Sequence, residues 1–112
     1  MQVVITGRQL NVGDQLRGHA EKQLADVIAK YFDQAIEASV VFSLEGSGKQ
    51  VRSDISVHVG RNIKMHGHAE AFEAKASFDA ALERLAKQLR RHKRRLRDHQ
   101  NTEHDTAAEE SP

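Results

Sequence analysis

The 112-residue sequence contains no cysteine and a single proline, Pro112. Without thiols it holds no disulfide framework, no thiolate zinc site and no cysteine nucleophile. With one proline and seven glycines it is neither collagen-like nor a Pro/Gly-rich disordered chain. No apolar run approaches the ~20 residues that a helix needs to cross a bilayer. The opening residues, Met1-Gln2-Val3-Val4-Ile5-Thr6-Gly7-Arg8, lack the basic start and long apolar stretch of a secretory signal. The expectation is one cytoplasmic domain, since 38% hydrophobic residues suffice for one small core.

Enzyme signatures are missing too. There is no GxGxxG, P-loop, GxSxG or HExxH, and no pair of carboxylates is placed for acid–base work. The chain reads as a binder, not an enzyme, with no cofactor expected.

Charge is what the sequence does have, unevenly. Residues 1–83 carry nine Lys/Arg against eleven Asp/Glu, a net charge of −2. Residues 84–97, RLAKQLRRHKRRLR, carry eight Lys/Arg and no acid. Residues 98–112 carry five acids, Asp98, Glu103, Asp105, Glu109 and Glu110, and no Lys or Arg. The overall charge of +1 therefore averages away a strongly basic segment and an acidic tail.

Periodicity orders the elements. Gln2-Val3-Val4-Ile5-Thr6 is a short β-branched run closed by Gly7, read as a strand. Over 14–32 the period changes: Leu16, Ala20, Leu24, Val27/Ile28 and Tyr31 lie on one helix face. Asn11 or Gly13 caps its start, and Asp14 suits its first turn. Residues 39–45 alternate Val40, Phe42 and Leu44 against Ser39, Val41, Ser43 and Glu45, and Gly46-Ser47-Gly48 signals a turn. In 51–59, Val51, Ile55, Val57 and Val59 oppose Arg52, Asp54, Ser56 and His58. In 63–70, Ile63, Met65 and Ala69 oppose Lys64, His66, His68 and Glu70, with Gly60-Arg61-Asn62 as the hairpin between them. From about Glu73 to Asp98 the helical period returns as a stripe of Phe78, Leu82, Leu85, Leu89, His92 and Leu96. Such a helix is longer than a small sheet is wide, so its C-terminal turns are expected to project.

The order β-α-β-β-β-α predicts an α+β two-layer sandwich. It has a four-stranded, mostly antiparallel sheet with two helices on one face and the other face open. The domain is expected over 1–98, and 99–112, without periodicity, reads as a disordered acidic tail or the start of a linker.

On the second helix Lys87, Arg90, Arg91, Arg94 and Arg97 follow three- and four-residue spacings, widened by Arg84, Lys93 and Arg95. A solvated surface helix ordinarily interleaves acids at i,i+4, and here none is present. Uncompensated cations in this number point to a polyanion, most commonly a phosphate backbone. Readers of the DNA major groove usually offer Asn or Gln among their arginines, and only Gln88 is available. A phosphate-reading, shape-selective grip on structured RNA fits better. The open sheet face carries no aromatic stacking pair of the kind an RRM uses. Arg8, Lys22, Lys30, Arg52, Lys64 and Lys75 are outlying cations that complete the candidate RNA-binding set. His66 and His68 share a strand face with His58 across the hairpin, but no fourth ligand or thiolate is defined, so no metal is expected. A general RNA- or DNA-binding protein using the basic helix is the alternative reading. A protein-interaction module that recruits a partner at a sheet edge is the third, and it leaves the basic helix unexplained.

Several motifs then converge. Ile5-Thr6-Gly7-Arg8, Lys30-Tyr31-Phe32, His68-Ala69-Glu70-Ala71, Phe78-Asp79 and Leu85-Ala86-Lys87-Gln88-Leu89-Arg90-Arg91-His92-Lys93 occur in this order. Over residues 1–98 the sequence resembles the ribosome hibernation promoting factor family, which includes the ribosome-associated inhibitor (the sigma-54 modulation protein family). It departs where such proteins usually show an acid and then an aromatic two residues on, for Glu73 is followed by Lys75. The resemblance implies a factor that binds rRNA in the decoding region of the small ribosomal subunit, blocks translation and preserves idle ribosomes under stress. Short members promote ribosome dimers with a partner factor or hold single ribosomes inactive. Long members add a self-associating C-terminal domain, so the chain corresponds to a short form or to the N-terminal domain of a long one.

Overall fold

The computed structural model describes residues 2–31, 37–46, 49–59 and 63–105, and for 95–105 the backbone alone. The elements are β1 (Gln2–Arg8), α1 (Asp14–Tyr31), β2 (Glu37–Glu45), β3 (Gln50–His58), β4 (Lys64–Ala71) and α2 (Ala74–Asp105). The sheet order is β1-β2-β3-β4. The pairing of β1 with β2 is parallel, because α1 carries the chain back to the end from which it started, and the other two pairings are antiparallel. The sandwich is thus the α+β arrangement expected from the element order. The hairpin residues 60–62, the turn residues Ser47 and Gly48, and Phe32 of the Lys30-Tyr31-Phe32 motif lie outside the described residues.

Each strand gives alternate residues to the core. Ile5, Ala38, Val40, Phe42, Ile55, Val57, Met65 and Ala69 point inward and are buried. Ala20, Leu24 and Ile28 of α1 and Phe78, Ala81, Leu82, Leu85 and Leu89 of α2 close over them. Each large side chain so buried stabilises the fold by ~1.5–3 kcal/mol relative to its exposed state. At the start of α1 the cap is Gly13, whose carbonyl accepts the Arg17 N–H at 2.9 Å.

Two glycines mark close approaches. β1 does not stop at Gly7 but continues through Arg8. A Cβ at Gly7 would sit 2.4 Å from the Leu10 carbonyl oxygen, where the chain turns back at Gln9 (φ 63°). Gly7 therefore clears space for that turn within the strand. On β4, a Cβ at Gly67 would lie 2.5 Å from Ala81 O and 2.8 Å from Leu85 N, so α2 rests directly on the strand backbone.

Ser53 joins the core face of β3, an inward position that the apolar pattern omits. Its hydroxyl meets that of Ser77, and both residues are fully buried. Ser77 Oγ donates its one hydrogen to Ala74 O at 2.9 Å, so Ser53 must be the donor between the two hydroxyls. Ser77→Ala strands a buried donor and is expected to cost ~1–3 kcal/mol, whereas Ser53→Ala leaves Ser77 bonded and costs less. Urea denaturation of both variants and the double variant checks this. Equal costs for the two single changes would contradict the assigned direction.

α2 has 32 residues, about 48 Å at 1.5 Å per residue, in a molecule whose principal extents are 57 × 25 × 20 Å. Among the residues whose side chains are described its last fully buried one is Leu89, with His92 half-buried, and the helix continues past them beyond the sheet. The helix backbone runs on past Asp98, the expected end of the helical period, to Asp105, and 106–112 lie outside the described residues.

Candidate nucleic-acid interface

The geometry of α2 follows from its period. With Phe78, Leu82, Leu85 and Leu89 fixed inward, 3.6 residues per turn send the intervening cations outward. Arg84, Lys87, Arg90, Arg91, Lys93 and Arg94 are all exposed. Gln88, Arg91 and the half-buried His92 form one wall of a groove of about 360 Å3 against Ile63, Lys64 and Met65 at the free edge of β4. Lys87, Arg90 and Arg94 occupy the crest above it. Arg95 and Arg97 continue the sequence of cations on the projecting backbone, with side chains outside the described residues.

Arg84 has a second attachment. Its Nη1 donates to the His68 carbonyl at 2.6 Å, engaging a backbone acceptor of the edge strand. The guanidinium has five donors in all, so the remaining ones stay available. A charged group over an outermost strand also discourages another strand from pairing there.

The outlying cations do not join this row. Arg52 faces the open side of the sheet among carboxylates. Its Nε donates to Asp54 Oδ2 at 2.9 Å, and its Nη1 lies 3.6 Å from Glu45 and 3.5 Å from Glu70. These four groups sum to −2, which opposes a phosphate at this position. Arg8 is exposed on the same open face at the end of β1. Lys22 pairs with Asp26 at 3.2 Å, Lys30 lies 5.6 Å from the Tyr31 ring centroid, and Lys75 is 3.9 Å from Asp79. The seam between the helices carries Asp79 and Glu83, and His19 Nε2 meets Asp79 Oδ1 across it at 2.8 Å. Lys64, among the outlying cations, shares a groove with Gln88, Arg91 and His92 of α2.

No two of His58, His66 and His68 stand directly opposite one another, although His58 and His66 line one groove on the open face. His58 stands opposite Lys64, His66 opposite Ser56 and His68 opposite Asp54. His66 Nδ1 and Ser56 Oγ share a hydrogen bond of 2.9 Å.

One carboxyl of the cluster, Glu45, is shifted from its ordinary value. The hydrogen bond between Glu45 and Glu70 holds the Glu45 carboxyl above its ordinary value, with desolvation and repulsion from Glu70 adding to it and Arg52 acting against it. A carboxyl raised in the folded state favours folding below its ordinary value, and that contribution is lost as pH rises through the raised value. Glu45→Gln is therefore expected to melt above the parent near neutrality, with the gap closing as the solution is made acid. A constant gap across a pH series of melting curves would contradict this.

Comparison with known proteins agrees with this architecture. A family profile described as sigma 54 modulation protein / S30EA ribosomal protein matches residues 3–97. The ribosome hibernation promotion factor of Rhizobium meliloti (strain 1021) is 35% identical over 101 residues, 90% of this chain and 52% of that protein. The chain spans about half the length of that relative and of its Bradyrhizobium diazoefficiens counterpart. The ribosome hibernation promoting factor of Escherichia coli (strain K12) is 31% identical over 99 residues, 88% of this chain and 100% of that protein. The crystal structure of the Thermus thermophilus Protein Y N-terminal domain superposes with a TM-score of 0.71 at 32% identity, covering 82% of this chain and 99% of that one. Profile, sequence and fold thus agree along nearly the whole described chain, which belongs to the sigma 54 modulation protein / S30EA ribosomal protein family.

Proposed function

We propose that this protein is a ribosome hibernation factor. It binds rRNA in the decoding region of the small ribosomal subunit, inhibits translation, and preserves idle ribosomes in the cytoplasm under stress. The observation that carries the reading is the exposed, acid-free row of cations on α2, presented by a helix that the core holds rigidly and that projects beyond it. Such a row grips a phosphate backbone by charge, and the fixed spacing of the helix selects a folded RNA whose phosphates match it. The names of the relatives support the ribosome as the source of that RNA, and the E. coli relative is matched along its full length. Action is by occupancy. No helix among the described residues is long and apolar enough to cross a membrane.

Sedimentation through sucrose gradients tests the reading. The protein is expected to travel with purified small subunits, to be displaced by mRNA and initiator tRNA, and to reduce synthesis in a cell-free system. Equal affinity for duplex DNA and for small subunits at matched salt would favour general nucleic-acid binding instead. The same gradients show whether ribosomes pair or stay single.

A further inference from the structure

We infer that Phe72 is a stacking platform for an unpaired base of the RNA whose backbone the α2 cations hold. This inference rests on the proposed function. Phe42 and Phe78 are fully buried, whereas Phe72 is 76% exposed, far above Val4, the other large exposed hydrophobic residue, at 39%. Its position is rigid. Ala71, the last residue of β4, pairs with Val51, and Glu73 O accepts the Ser77 N–H at 3.0 Å as α2 begins. The ring is thus presented to solvent from backbone ordered on both sides, so a partner has only the side-chain rotamer to order.

The charge around the ring selects the kind of contact. Glu73 is exposed beside it, and Glu70, two residues back, belongs to the carboxylate cluster around Arg52. Lys75 is the nearest cation along the chain and is itself drawn towards Asp79. Phosphates are not favoured here, so the contact left to an RNA is the face of a base on the ring. Phe72 stands just before the helix that carries the row, between β4 and α2. α2 begins two residues on, and from Ala74 to Arg84 is ten residues, about 15 Å of helix rise, along which the exposed residues are Lys75, Ala76, Asp79 and Glu83. A strand held at Arg84 and Lys87 that runs back towards the start of α2 comes within reach of the ring.

The protein has no tryptophan, so Phe72→Trp creates a single fluorescent reporter. Titration with purified small ribosomal subunits is expected to quench it, as stacking on a base does. Phe72→Ala is expected to lower affinity about five- to a hundredfold. It should leave the slope of log affinity against log salt unchanged, because no phosphate contact is lost. Melting temperature should not move, since the ring is outside the core. Unchanged affinity for Phe72→Ala overturns the inference, and so does a brightened, blue-shifted emission from Phe72→Trp, which marks an apolar protein pocket. In both cases binding by the parent protein leaves the proposed function standing. Absence of binding by the parent overturns both.

Discussion

Replacing Lys87, Arg90, Arg91 and Arg94 together by Gln should lower the slope of log affinity against log salt by about three. Each lost phosphate contact removes ~0.7–0.9 from that slope. If parent and variant converge near molar salt, the same relation separates their affinities on the order of a thousandfold at a tenth of that concentration. All four side chains are exposed and make no described contact with the core, and glutamine is a good helix former. The fold should therefore survive, with circular dichroism as the control. Binding to small subunits across a salt series is the measurement. An unchanged slope in a folded variant would remove these residues from the interface.

The second large effect concerns folding. Gly67→Ala places a methyl group against two backbone atoms of α2, Ala81 O at 2.5 Å and Leu85 N at 2.8 Å. A side chain can rotate away from such a contact, but a helix backbone cannot, so α2 must lift from β4 or the strand must bend. Overpacking of this kind costs ~1–3 kcal/mol, and the rigid partners place it at the upper end. For a domain of this size that corresponds to a fall in melting temperature of roughly 10–20 °C. Gly18→Ala, at a helix position where a Cβ meets nothing within 4 Å, is the control and should not destabilise. A stable Gly67→Ala protein would mean that α2 does not sit as closely on β4 as described.

Much of this arrangement can be read from local pattern, and what cannot has specific reasons. Alternation in β2 and β4 separates Val40 and Phe42, or Met65 and Ala69, from their outward neighbours without knowledge of pairing. The α2 stripe does the same for the helix. Ser53 escapes that logic because its burial depends on a hydroxyl 24 residues away. Arg52 counts as a free cation in sequence, but the register of β2, β3 and β4 surrounds it with Glu45, Asp54 and Glu70. Gly7 has the composition of a strand stop, yet its role is clearance for Leu10. The apolar period stops before Asp98 and so resembles a boundary, but loss of an apolar stripe does not by itself break backbone hydrogen bonds, and α2 continues. On the interface, the cation row is visible in sequence because it lies on one element. The groove with Lys64 and the exposure of Phe72 are tertiary facts.

One helix supplies both the core stripe and the cation crest, so the two are locked in rotational phase. An inserted or deleted residue between Leu82 and Leu89 turns everything beyond it by about 100° around the helix axis. The protein cannot absorb that in a loop: either leucines leave the core or cations enter it. A change of seven residues is nearly two full turns and preserves the facing, while moving the cations about 10 Å along the axis. Length variation in this part of the chain is thus quantised by the helical repeat, and the permitted steps alter reach without altering direction.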